Sequence, residues 1–92
     1  NIFSIDTVYP NPFNNEVMVD FTINNSGYVD IGIYDIAGKW ISNLIGKKMY
    51  SGKYSIVWKG DDMAGNAVAS GPYLLMMKFG GSIKTKKINL IK

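Results

Sequence analysis

Apolar residues recur at every second position along most of this chain, and a period of two fits extended strands whose two faces meet different surroundings. In residues 16–23, Val17, Val19, Phe21 and Ile23 alternate with Glu16, Met18, Asp20 and Thr22. In residues 28–35, Val29, Ile31 and Ile33 alternate with Asp30, Gly32 and Tyr34. In residues 53–60, Tyr54, Ile56 and Trp58 alternate with Lys53, Ser55 and Val57. The stretch 72–80 is apolar at both parities. Placing Tyr73, Leu75, Met77 and Phe79 inward leaves Lys78 in water, so that register is expected. In residues 85–92, Ile88 and Leu90 take the inward positions.

Turn residues punctuate these runs at Asn24-Asn25-Ser26-Gly27, Ala37-Gly38, Ser51-Gly52, Gly60-Asp61-Asp62, Gly65-Asn66, Ser70-Gly71 and Gly80-Gly81. No stretch carries an apolar stripe at helical spacing, and no internal repeat is read. The pattern predicts an all-β fold, an antiparallel β-sandwich of about seven strands. At 92 residues the chain is expected to form a single domain over 1–92, a fragment of a longer protein.

Composition excludes several kinds of chemistry. The chain has no cysteine and no histidine, so Ser–His and Cys–His nucleophile pairs and thiolate or imidazole metal sites cannot form. No apolar run approaches the roughly 20 residues that span a bilayer, and no signal peptide is visible. All ten cationic residues are lysines. Arginine is the usual choice for bidentate phosphate and guanine contacts, so its absence argues against sequence-specific nucleic-acid binding. Residues 1–38 carry five carboxylates and no base, while 39–92 carry every lysine against Asp61 and Asp62. This asymmetry suits an anionic partner, or simply neighbouring strands of opposite sign.

Residues 9–13, Tyr-Pro-Asn-Pro-Phe, stand just before the strand at 16–23. Proline lacks the N–H that a ladder needs and holds the residue before it extended. The stretch is therefore expected to cross one end of the sandwich without pairing, with the Tyr9 and Phe13 rings folded onto the core. Tyr73 follows Gly71-Pro72 at the start of a late strand, where a corner tyrosine donates its hydroxyl to nearby backbone. Trp58 is the expected large core filler.

Taken together, Tyr9-Pro10-Asn11-Pro12-Phe13, Ile33-Tyr34-Asp35 with Gly38-Lys39, Trp58-Lys59-Gly60 with Asp62 and Gly65, and Ala69-Ser70-Gly71 with Tyr73 carry a resemblance. Their order resembles the C-terminal sorting domain of type IX secretion cargo, type A, and the related immunoglobulin-like domain of flagellar hook-capping scaffolds. The resemblance runs from Tyr9 to Lys92. Lys59 departs from it, where an acid is usual, as does Pro72, where a β-branched residue is usual.

The resemblance implies an immunoglobulin-like sandwich at the end of a larger secreted protein, reaching the cell surface through the periplasm. It implies recognition by an outer-membrane translocon and removal by a sortase-like peptidase, with cargo domains preceding it in the chain. It places the signal in Lys86-Lys87-Ile88-Asn89-Leu90-Ile91-Lys92. No catalytic residue and no cofactor is implied. The other reading is a structural immunoglobulin-like spacer or adhesion domain of an extracellular enzyme or assembly scaffold.

If Ile88 and Leu90 anchor the last strand, then Lys87, Asn89 and Ile91 face outward and Lys92 is free at the end. A receptor could then add a strand to that edge or pair carboxylates with the lysines. The plainer alternative is that the lysines only guard an edge against aggregation. Residues 60–66 resemble a calcium loop faintly, but Asp61 and Asp62 are adjacent and no glutamate follows, so turn capping is the expected role. The acids are scattered, and no pair flanks an expected cleft. Strands 28–36 and 72–80, as sheet neighbours, would put Tyr34, Leu74 and Met76 on one outward face. That face is either a contact surface or is covered by Trp40 or a loop.

Overall fold

The computed structural model describes residues 2–92, and Asn1 lies outside them. Seven strands follow one another: β1 (Phe3–Tyr9), β2 (Val17–Ile23), β3 (Gly27–Asp35), β4 (Trp40–Met49), β5 (Gly52–Trp58), β6 (Gly71–Phe79) and β7 (Ser82–Leu90). They form two antiparallel sheets, ordered β1-β2-β5 and β4-β3-β6-β7. No helix occurs among the described residues. The sandwich expected from the alternation is the architecture found.

The inward parities agree with the pattern. Val17, Val19, Phe21, Ile23, Val29, Ile31, Ile33, Trp58, Tyr73, Leu75, Met77, Phe79, Ile88 and Leu90 are buried, and Lys78 is exposed. Tyr54 and Ile56 pack against this core while half-buried. Each fully buried aliphatic or aromatic side chain contributes on the order of 1.5–3 kcal/mol.

Two strands escape the period-two reading, and bulges explain both. In β1 the register slips between Ile5 and Thr7, so the core-facing side chains run Phe3, Ile5, Val8. In β4 it slips twice, and Ser42 and Ile45 face inward opposite Ile33 and Ile31.

One turn is used twice. Asp35 Oδ1 accepts the Ala37 and Lys39 N–H groups at 3.0 and 2.9 Å, and the Gly38 N–H donates to the Asp35 carbonyl at 3.0 Å. Asp62 repeats this with Ala64, Asn66 and Gly65 at 3.0, 2.9 and 3.0 Å. The sequences are Asp-Ile-Ala-Gly-Lys and Asp-Met-Ala-Gly-Asn. Gly38 and Gly65 have φ of +88° and +85°, a conformation that a side chain would strain. The Asp62 carboxylate is thus engaged in capping, the role expected for it.

The outer face of the three-stranded sheet is a polar lattice. Ser4 and Thr22 hydroxyls donate to Asp6, each at 2.5 Å, while Ser55 and Thr7 donate to Asp20 at 2.5 and 2.8 Å. These bonds favour the charged carboxylates and hold both below the ordinary aspartate range, through Ser4 then Thr22 for Asp6 and Ser55 then Thr7 for Asp20. A carboxylate so depressed adds stability above its unfolded value, about pH 4, and loses that contribution as pH falls through its folded value. Asp6→Asn with Asp20→Asn is therefore expected to melt below the parent at pH 7. The gap should close on acidification below about pH 4, as followed by thermal melting across pH.

Candidate functional site

The last strand is held from three sides. On one edge β7 pairs with β6, with Tyr73 opposite Ile88, Pro72 opposite Asn89 and Gly71 opposite Leu90. On its other edge lies the proline stretch. The Phe13 N–H donates to the Asn89 carbonyl at 2.9 Å, and the Ile91 N–H donates to the Phe13 carbonyl at 2.8 Å, a parallel bridge centred on Leu90. The Asn11 side chain continues this bridge. Its Oδ1 accepts the Asn89 N–H at 3.0 Å, and its Nδ2 donates to the Lys87 carbonyl at 3.1 Å.

The stretch 9–13 therefore does pair, contrary to expectation. Pro10 and Pro12 cannot donate, yet the residues between and after them can. Asn11 uses a side-chain amide as a substitute peptide, and Phe13 supplies its own backbone. Both proline peptide bonds are cis. Phe13 is buried as expected, whereas Tyr9 closes β1 opposite Met18 and is 48% exposed.

Beneath the strand sits an aromatic row. The Phe13 and Trp58 ring centroids are 5.5 Å apart, and those of Trp58 and Tyr73 are 5.2 Å apart at 70°. Trp58 Nε1–H donates to the Asp61 carbonyl at 2.9 Å, and the Tyr73 hydroxyl donates to the Ala69 carbonyl at 2.6 Å, the corner bond expected. Burial, with a smaller contribution from Asp35, pushes the Tyr73 hydroxyl pKa up and keeps it a donor. Gly60 closes the floor. A Cβ there would stand 3.4 Å from Leu90 and 3.7 Å from Phe13, at φ +69°.

The chain end is held too. The Lys92 N–H donates to Ser70 Oγ at 3.1 Å, and its Nζ donates to the Val68 carbonyl at 2.5 Å. Lys92 is thus not the free terminus expected. Of the tail, Ile88 and Leu90 are buried, Asn89 is half-buried, and Lys86, Lys87, Ile91 and Lys92 are exposed. Asn11 and Phe13, Trp58, Gly60, Ser70-Gly71 and Tyr73 lie far apart in sequence, yet they meet around this one strand. Sequence reading marked them as a set but missed what Asn11, Gly60 and Ser70 do. A polar side chain between two prolines was the one available hint for Asn11.

A family model described as the secretion system C-terminal sorting domain matches residues 7–92. The chain belongs to this family. Family members are the sorting domains of type IX secretion, so this sorting domain belongs with secreted or cell-surface proteins that use that machinery, and its family is not a catalytic one. No curated protein matches the sequence.

Among solved structures, the sorting domain is similar to dimeric latent PorU from Porphyromonas gingivalis, at TM-score 0.71 and 18% identity, over 98% of this chain and 9% of that one. It is also similar to FlgD from Xanthomonas campestris, a hook-capping protein, at TM-score 0.64 and 19% identity over 96% and 64% of the two chains. FlgD from P. aeruginosa gives TM-score 0.58 and 23% identity over 82% and 58%. These likenesses concern the fold, and the sorting domain spans less than two thirds of each of those chains.

Asn11→Ala removes both side-chain bonds to the last strand. It is expected to lower stability by about 1–3 kcal/mol. Amide hydrogen exchange at Asn89 should quicken well beyond the change at core amides such as Ile31. Equal acceleration at both positions would show that Asn11 holds the strand no more than it holds the rest of the fold.

Proposed function

We propose that residues 1–92 are the C-terminal signal of a larger secreted protein, and that its last strand is what the outer-membrane translocon reads. The domain would then be removed at the cell surface by a sortase-like peptidase. The observation that carries this reading is the convergence of the motif residues on the tail: Asn11, Phe13, Ser70 and Tyr73 bond or pair with residues 87–92, Gly60 leaves room for Leu90, and Trp58 packs on Phe13 and Tyr73.

The same geometry narrows how the tail can be read. The outer edge of the strand over 87–91 is occupied by Asn11 and Phe13. A receptor adding its own strand there would first have to displace them. Recognition is therefore assigned to the side chains of Lys86, Lys87, Ile91 and Lys92, with Asn89 half-available. Ile88 and Leu90 set their spacing from within the core. Carboxylates on the receptor would suit the three lysines.

The second reading is a structural immunoglobulin-like spacer or adhesion domain of an extracellular enzyme or assembly scaffold. The likeness to the two FlgD structures favours it. A spacer has no need of particular exposed residues on its last strand.

Removing the tail outright is a poor discriminator. Burial of Ile88 and Leu90 is worth about 3–6 kcal/mol together, comparable to the whole stability of a small domain, about 5–15 kcal/mol. Surface substitutions separate signal from stability. A periplasmic reporter fused to residues 1–92, expressed in a bacterium with type IX secretion, is expected to reach the medium or cell surface. The same fusion with Lys86→Ala, Lys87→Ala and Lys92→Ala should stay in the periplasm, with its melting temperature within a few degrees of the parent. Retention of both fusions would leave the spacer reading standing, and release of both would remove the tail lysines as the signal.

A further inference from the structure

The two outer faces of this sandwich are built differently. The three-stranded sheet shows water rows of serine, threonine, aspartate and Lys53, apart from one end where Tyr9, Met18 and Val57 line up. The four-stranded sheet instead groups Trp40, Tyr34, Leu74 and Met76 on its outer face, with lysines around them. One row across it runs Trp40, Tyr34, Leu74, Lys87, and the next runs Asn43, Gly32, Met76, Thr85. Tyr28 and Ile83 flank these rows. Tyr28, Trp40 and Ile83 are 61%, 49% and 57% exposed, whereas Tyr34, Leu74 and Met76 are half-buried. Trp40 lies in register beside Tyr34 and carries the apolar row to the β4 edge. A polar outer face is what solvent alone requires, and a grouped apolar one marks a contact.

The tail cannot supply an interface by itself. A stable protein contact takes about 20–30 residues a side and about 800 Å² per partner. Only a few residues of the tail are open to a partner, and Lys87 is the one that lies in register with Leu74, Tyr34 and Trp40. Four strands spaced about 4.8 Å apart place Trp40 roughly 14 Å from Lys87. The nearest surface for the missing contact is therefore this face.

We infer that the outer face of the four-stranded sheet, from Lys87 across Leu74 and Tyr34 to Trp40, is gripped together with the tail by the secretion machinery. This rests on the reading of the tail as the signal. The partner is a protein surface presenting an apolar patch bordered by carboxylates. Charge sets that chemistry: Lys48, Lys78 and Lys87 stand on the face, and its one acid, Asp30, is opposite Lys78. The same lysines oppose a second copy of this chain. Asp30 on the face, and the half-buried Leu74 and Met76, oppose insertion into an anionic bilayer.

The test uses the reporter fusion to residues 1–92 with three variants: Trp40→Ala with Leu74→Lys on this face, Thr22→Ala with Lys53→Ala on the opposite face, and the triple tail-lysine variant. The first is expected to cut export at least tenfold while melting within a few degrees of the parent, and the second to export like the parent. Trp40→Ala alone, at a residue already half exposed, carries the test if the double variant melts early, and should cut export several-fold. Normal export of the Trp40 variants beside a retained tail variant would overturn the face while leaving the tail reading intact. Export of the tail variant would overturn both. Purified domain is also mixed with vesicles of equal parts phosphatidylglycerol and phosphatidylcholine. No binding is expected, and binding lost in Trp40→Ala would assign the face to lipid and overturn the protein partner.

Discussion

The parallel bridge between Phe13 and Leu90 is the contact on which the rest of the site depends. It joins the beginning of the chain to its end, closing a loop of most of the sequence for two backbone bonds of 2.9 and 2.8 Å. Closure over such a length costs little more than closure of a shorter loop, because the entropy grows only logarithmically, by about 0.6 kcal/mol per doubling. Once made, the bridge turns a strand paired on one edge into a strand paired on both. Phe13 then lies over Trp58, Trp58 over Tyr73, and Gly60 leaves room for Leu90 to seat among them.

Most of the fold was legible because most strands keep a strict period of two. The five runs read this way are β2, β3, β5, β6 and β7, and the inward residues expected in them are buried, Tyr54 and Ile56 of β5 only partly. β1 and β4 were not legible strand by strand, for a physical reason. A bulge inserts a residue and flips the parity, so Phe3 and Ile5 are followed inward by Val8, and Ser42 by Ile45. To a parity argument such a segment looks like no strand at all. The repeated Asp-x-Ala-Gly turn was missed for another reason. Only three of its five residues match, and what repeats is a bonding scheme made by one carboxylate and one left-handed glycine.

The proline stretch shows how a correct premise gave the wrong conclusion. Pro10 and Pro12 do remove two donors, so an unpaired crossing followed from the backbone alone. The omitted term was the side chain between them. The Asn11 amide presents an N–H and a C=O side by side as a peptide group does, and it bonds Lys87 and Asn89 as a strand residue would. The prolines then add no N–H of their own to compete for β7.

That arrangement bears on the proposal that the tail is the signal. A linear motif is readable in an unfolded chain, but residues 86–92 are in order only while Ile88 and Leu90 are buried and their edge is bridged. The exposed positions Lys86, Lys87, Ile91 and Lys92 take fixed places relative to the sheet only in that state, and Lys87 joins the Leu74–Tyr34–Trp40 row only through β6 and β3. In an unfolded chain the same residues would be a short basic peptide, with no face behind it and no spacing enforced. A receptor that grips both tail and face, as proposed, would discriminate by geometry, since a loose lysine-rich end satisfies one contact and leaves the other unmade.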